Sequence, residues 1–389
     1  MILDKHSHHE RNYVASLTGL RGLAALGVFT FHYDQFNPGI RLDLAIPIIG
    51  SALQFPLGFG FAGVDLFFVL SGFLLSLPFA RSALTHSPRL PLKRYYKRRL
   101  LRVFPAYYAQ LLILLMAGTW FVSWQPVNGL SLLAHLTMFF NVGWDPIRPL
   151  VPVWWTLPVE LSFYLVLPLI ASFLRPGRWI AFLLLCIVLS MVYRVWSAAH
   201  FPTITAADVV LMANHLPGSL PEFLLGASAA LMVQWFDVKS IRKPPVWLLD
   251  IMLVTGAVLA VMWLWNVLYA NVSSYWLGHW SMITAPVAFG LPLSLMVVSL
   301  YWGSRIGRLL FANPVIYYLG LISYSLYLWH FIVLQQLVVI LGDANAALQG
   351  FPRFLVSLLL VVLVSSVSYF AFERPFFHLN SQRKPQEQG

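Results

Sequence analysis

The chain has 389 residues, 59% of them hydrophobic and only 10% charged, with 25 basic side chains against 14 acidic ones and a formal net charge of +11. Several apolar runs exceed the roughly 20 residues that cross a bilayer, which excludes a soluble globular protein, and strand-like alternation is absent over those lengths, which disfavours a β-barrel. The single cysteine, Cys186, excludes both an intramolecular disulfide and a cysteine metal site.

In chain order the pattern predicts an all-α, polytopic transmembrane helical bundle of about ten spans. They cover 13–36, 52–77, 100–122, 153–174, 179–198, 217–236, 246–266, 281–301, 315–340 and 352–373. The short apolar stretch 130–140 reads as a re-entrant or interfacial helix rather than a crossing. Lysine and arginine are retained on the cytoplasmic side. With both termini cytoplasmic, all 25 basic residues except Arg21, Arg41, Arg148, Arg194 and Arg353 fall on that side. An extra crossing at 130–140 would turn Arg175 and Arg178 outward. The expected organisation is a tail over 1–12, a membrane-embedded domain over 13–374 and a tail over 375–389, both tails polar enough to be disordered. The first span, flanked by Asp4 and Glu10, is too long and too polar for a cleaved signal peptide. The net positive charge is then topology signal and contact with anionic membrane lipids, and no nucleic-acid partner is expected.

Ionisable groups inside these spans mark the candidate chemistry, because a charge near mid-bilayer costs on the order of 3 kcal/mol or more. In the first span Arg21 and His32 lie eleven residues apart. On a helix that spacing puts them on one face, about 16 Å apart along the axis. His32 is a side chain that exchanges protons near neutrality. Asp65 and Ser71 fall within the second span, in Gly63-Val64-Asp65-Leu66-Phe67-Phe68-Val69-Leu70-Ser71-Gly72-Phe73. Before the third span, Lys93, Arg94, Lys97, Arg98, Arg99 and Arg102 gather around Tyr95 and Tyr96. Such a cluster either forms a lipid-facing basic belt or clamps a phosphate ligand while a ring stacks on its base. Arg98 and Arg102 share a helix face. Glu160 in the fourth span, with Trp154 before it and Tyr164 one turn below, is a second buried acid that needs a cation or donors. Either Asp65 or Glu160 could orient the imidazole of His32, or pair structurally between helices. The ninth span brings a second intramembrane histidine, His330, as a packing or substrate contact. Glu373-Arg374-Pro375 reads as a local ion pair and helix stop. Outer loops over 37–50, 141–151 and 266–280 carry Trp144, Trp276 and Trp280, which could stack on sugars or anchor the protein at the interface.

These segments, in order, resemble the acyltransferase family 3 proteins, bacterial integral-membrane enzymes that acylate sugars of surface polysaccharides and other acceptors. The resemblance rests on Leu17 to Ala25 with His32, Gly63 to Phe73, Arg99-Leu100-Leu101-Arg102 with Pro105, Trp154 to Tyr164, Pro221-Glu222-Phe223-Leu224-Leu225-Gly226, Ser323 to His330, and Phe372-Glu373-Arg374-Pro375. It implies a cytoplasmic acyl-coenzyme A donor, acetyl-CoA by default, with His32 and Arg21 essential and Arg99 and Arg102 involved with the donor. One departure is visible. Where many members carry two adjacent acids, this chain has Val159-Glu160-Leu161, so only one remains. No esterase-like domain is expected after 374.

The combined expectation is an O-acetyltransferase of a bacterial inner membrane, acting on a glycan or glycolipid acceptor. His32, Arg21, Glu160 and Asp65 form its catalytic group. Arg98, Arg99, Arg102, Tyr95 and Ser71 contact the donor, and Tyr164, Trp154 and His330 contact substrate. His32 would act as general base or as acylated carrier. The competing reading is a transporter or flippase for a sugar-bearing or anionic lipid, against which no internal repeat is found.

Overall fold

The computed structural model describes residues 2–37, 57–88, 90–117, 128–140, 147–200, 212–267, 275, 279–341 and 351–376, without the side chains of 2–14, 57–59 and 176. Trp144 and Trp276 lie outside them, as does the tail beyond 376. Among the described residues nine helices are long and apolar enough to cross a membrane. They match predicted spans two to ten. The first predicted span is the interior of α1 (Ile2–Phe36), long enough to cross, where Arg21 and His32 interrupt the apolar run. The N-terminal tail is not irregular, since α1 is helical from Ile2 onward. No glycine or proline occurs between Ile2 and Thr18, so a helix nucleated in the apolar segment propagates outward at little cost.

The remaining helices are α2 (Gly63–Thr85), α3 (Leu92–Ala117), α4 (Gly129–Thr137), α5 (Thr156–Ile170), α6 (Pro176–His200), α7 (Leu216–Val238), α8 (Val246–Trp265), α9 (Trp280–Trp302), α10 (Arg305–Phe311), α11 (Pro314–Leu321), α12 (Ser323–Leu341) and α13 (Phe351–Ser368). A π-helical segment, Tyr369–Glu373, continues α13. Prolines inside α2, α3, α5, α7 and α9 are tolerated, as membrane helices generally allow. Two boundaries differ from the prediction. The third span starts at Leu92, so the basic cluster forms the first turns of α3 rather than a preceding loop. The ninth is divided at Ile322 into α11 and α12, where Gly320 and Ser323 lower helix persistence.

The described residues fall into two compact units. The first unit takes α1 up to Ala24, α2 and α5 to α11. Its axis is the pairing of α2 with α7, where backbones meet directly. A Cβ on Gly72 would lie 2.0 Å from the Phe223 carbonyl oxygen, and one on Gly226 would lie 2.1 Å from that of Val69. Only glycine permits that approach. Phe223 then stacks between Phe68 and Phe163, with centroids 4.6 and 4.2 Å apart.

The second unit takes α1 from Ala25, α3, α4, α12, α13 and the π-helical segment. With nine residues, α4 is about 13 Å long and cannot cross a bilayer, as predicted for 130–140. Asn128 caps it by accepting from the Ser131 amide at 2.7 Å. His135, fully buried, donates from Nδ1 to the Ser131 carbonyl at 2.7 Å and accepts from the Leu150 amide on Nε2 at 3.0 Å. Tyr107 of α3 donates to the His135 carbonyl at 2.8 Å, so one short helix, one loop and α3 are fastened together.

Candidate active site

In the second unit His32 of α1 meets His330 of α12, with His32 Nδ1 3.2 Å from His330 Nε2 and ring centroids 5.0 Å apart. Each ring also places Nδ1 against a backbone carbonyl one turn earlier. For His32 this is Val28, at 2.9 Å, and for His330 it is Leu326, at 3.1 Å. A carbonyl only accepts, so both Nδ1 atoms carry their hydrogen, and His330 Nε2 is left with a lone pair. The His32 Nδ1–H is therefore shared between two acceptors. In the neutral ring the lone pair of His32 is then on Nε2. His330 is fully buried, whereas His32 is half-buried. Phe331 packs edge-on against the His32 ring at 5.4 Å, giving it an apolar flank.

The position of His330 is set by hydrogen bonds between α12 and neighbouring segments. Gln110 of α3, fully buried, donates to the Leu328 carbonyl at 2.7 Å and accepts the indole N–H of Trp154 at 3.0 Å. Tyr324 donates to the Val103 carbonyl at 2.9 Å, and Tyr327 donates to the Val153 carbonyl. Sequence reasoning passed over Gln110, although a glutamine in the middle of an apolar helix is itself a signal. It also read Trp154 as a substrate contact. The structure buries Trp154 completely, packed on Tyr107 at 4.9 Å, so its indole braces α12 and has no face open to a sugar.

Asp65 and Glu160 lie in the first unit, where Glu160 has hydrogen-bond partners of its own. Among the described residues the polar contacts of His32 are Val28 and His330. Glu160 accepts from Ser71 at 2.8 Å and from Tyr164. Ser71 and Tyr164, read as donor and substrate contacts, are thus partners of that acid, and Tyr164 is buried. Asp65 and Glu222 of α7 interact electrostatically within the first unit. Arg194 lies in their field. Its guanidinium is buried and donates to Gly218 O at 3.0 Å, Met282 O at 2.8 Å and Asn214 Oδ1 at 2.6 Å. Glu222, quoted only within a family signature, and Arg194, counted only for topology, were not read as site residues, though both interrupt apolar helices. Arg194 is a buried cation whose charge acts on Asp65 and Glu222.

Arg21 precedes His32 on the unbroken α1 and is half-buried, in the part of the helix that belongs to the first unit. In the second unit Arg98, Arg99 and Arg102 are half-buried on the first turns of α3, while Lys93, Arg94 and Lys97 are exposed. Tyr95 is buried and packs edge-on against Tyr96 at 5.1 Å, so its ring is a helix-packing element and not an open stacking platform. Glu373 makes no simple pair with its neighbour Arg374. The Arg374 guanidinium lies over the Phe370 ring at 5.4 Å, and Glu373 is buried and accepts from Ser325.

A bundle in which, among the described residues, nine helices are long and apolar enough to cross a membrane defines a multi-pass membrane protein. Residues 14–370 match the family model described as "Acyltransferase domain", and the chain belongs to that family. It is 25% identical over 391 residues to O-acetyltransferase OatA of Staphylococcus aureus strain NCTC 8325, covering 93% of this chain and 57% of the relative. The same figures hold for OatA of strain MW2. SACOL0978 of strain COL is 22% identical over 398 residues, covering 95% of this chain and 58% of the relative. The chain therefore spans less than three fifths of the length of these curated relatives. No solved structure matches it.

Proposed function

We propose that this protein is an O-acetyltransferase that moves an acetyl group from cytoplasmic acetyl-CoA to a hydroxyl of a sugar, in a surface polysaccharide or its lipid-linked precursor, at the inner membrane of a bacterium. Family membership and the O-acetyltransferase named among its relatives support the reaction class. The observation that carries the reading is the tautomer of His32. With Nδ1–H committed to Val28 O and His330 Nε2, Nε2 is the basic atom. It takes the proton of the acceptor hydroxyl as the oxygen attacks the thioester carbonyl. The C–S bond then breaks, and the imidazolium returns the proton to the departing thiolate, leaving an ester and free coenzyme A. A positioned general base contributes about 10²–10⁴ in rate. The imidazolium formed on the way is stabilised where it stands, because its Nδ1–H already points at two acceptors.

Arg98, Arg99 and Arg102 suit the phosphates of the donor, since guanidinium groups bind phosphate by paired donors. The distribution of basic residues assigns their end of α3 to the cytoplasm, where acetyl-CoA is found. Arg21, on the same helix as His32, suits a polar part of the donor arm. The test uses membranes containing the full chain and labelled acetyl-CoA. Label is expected in extracted glycan or glycolipid and is expected to vanish in His32→Ala, with the variant still inserted at normal level. Full acetyl transfer by His32→Ala overturns the assignment. Movement of a lipid or glycan without any new ester favours transport instead.

A further inference from the structure

The π-helical end of α13 holds a carboxylate for which the proposed reaction has no use. Glu373 is 2% exposed, in the interior of a protein that spans a membrane. Its neighbours form a directed chain. Ser325 has a single hydroxyl hydrogen and donates it to Glu373, so Ser368, 2.9 Å from Ser325, donates in turn to the Ser325 oxygen. Two hydroxyls thus fix one carboxylate oxygen in place. A buried carboxylate fixed in this way is costly unless a cation answers it.

The packing of the same unit indicates which cation that is. The π-helical segment lies against α3. Tyr324, the residue before Ser325, donates to the Val103 carbonyl, which puts the first turn of α12 at the level of Arg102-Val103 on α3. Glu373, bonded to Ser325, therefore sits beside the turn of α3 that carries Arg99 and Arg102. Of the three half-buried arginines there, Arg99 has its Nε fully shielded from solvent, facing into the protein. The departure from regular helix over Tyr369–Glu373 turns the carboxylate to this position, and local π-helix of this kind recurs at functional sites.

We infer that Glu373 is a positioning residue, a buried carboxylate that holds the Arg99 guanidinium in the orientation with which it meets a phosphate group of the acyl donor. The inference rests on the reading of Arg98, Arg99 and Arg102 as donor contacts. It makes a prediction of definite sign. Replacing Glu373 by glutamine removes a negative charge and raises the local positive potential, so simple electrostatics predicts tighter binding of an anion. A positioning role predicts weaker binding in spite of that.

The experiment measures equilibrium binding of coenzyme A to the purified full chain in detergent, normalised to protein that elutes as a single species on size exclusion. Glu373→Gln is expected to weaken binding about tenfold, Glu373→Asp to stay within about threefold, and Ser325→Ala, which keeps the carboxylate but loosens it, to fall between. Adding Glu373→Gln to Arg99→Gln is expected to cost nothing further. Unchanged or tighter binding by Glu373→Gln, alongside weak binding by Arg99→Gln, overturns the positioning role and leaves the donor reading standing. Unchanged binding in Arg99→Gln and Arg102→Gln overturns the donor reading itself. A variant that loses only thermal stability, with coenzyme A binding intact, shows a purely structural carboxylate and also overturns the inference.

Discussion

Replacing His330 by leucine isolates what the second histidine contributes. Leucine is close in volume to histidine and apolar, so the fully buried site is refilled without a large cavity or overpacking. What disappears is the acceptor at 3.2 Å from His32 Nδ1. In the resting protein that contact is between neutral groups and is replaceable, because Val28 O at 2.9 Å still accepts the same hydrogen. In the transition state His32 carries the substrate proton, and the contact becomes charge-assisted, a class of hydrogen bond worth about 1.5–3 kcal/mol. Since Val28 retains part of the interaction, the lower end applies, about 1.5–2 kcal/mol, or a fall in kcat of about 10–30-fold. The assay is transfer of labelled acetyl from acetyl-CoA in membranes, with the rate taken per inserted molecule and the donor KM measured in parallel. The donor KM is expected to be unchanged, and His330→Gln, which restores an acceptor, is expected to recover part of the rate. Wild-type kcat in a well-inserted His330→Leu would refute the role assigned to the pair.

Three further outcomes follow from the geometry. Gly226→Ala drives a methyl to within 2.1 Å of the Val69 carbonyl and is expected to cost about 1–3 kcal/mol, read as a lower thermal midpoint, while Gly177→Ala, with open space around it, leaves the midpoint unchanged. Arg194→Leu strips three acceptors of their donor and a carboxyl pair of its counter-charge, an expected loss of about 3–5 kcal/mol that Arg194→Lys does not restore, because one ammonium cannot span the three sites. The third outcome concerns His135, which lies outside the crossing helices; burial holds its pKa below the ordinary 6.5, partly opposed by the Ser131 carbonyl. Its neutral form is the one that accepts from Leu150. As pH falls below about 6.5 the unfolded chain takes up a proton that the folded chain refuses, so stability is full above that pH and declines below it. A thermal-midpoint profile in acid that is no flatter in His135→Gln than in the parent protein would contradict this.

Residue order alone determined the helices, because a bilayer admits few solutions for backbone hydrogen bonds and an apolar run of sufficient length must be helical. For the same reason the cost of burying charge made Arg21, His32, Asp65, Glu160 and His330 stand out before any coordinates. Pairing was another matter. A one-dimensional reading offered a carboxylate as a partner for the imidazole of His32, since a carboxylate can fix its tautomer. It had no means of seeing that α3 and the Val153–Trp154 segment hold α12 so that His330 meets His32. Nor could it connect Glu160 with Ser71 or Glu373 with Ser325, pairs separated by 89 and 48 residues. Burial cost is a property of each side chain and its own helix, and can be read locally. Which group offsets that cost depends on which helix faces meet, and that is set by the closest approach of backbones at positions such as Gly72 and Gly226, which only the folded bundle defines.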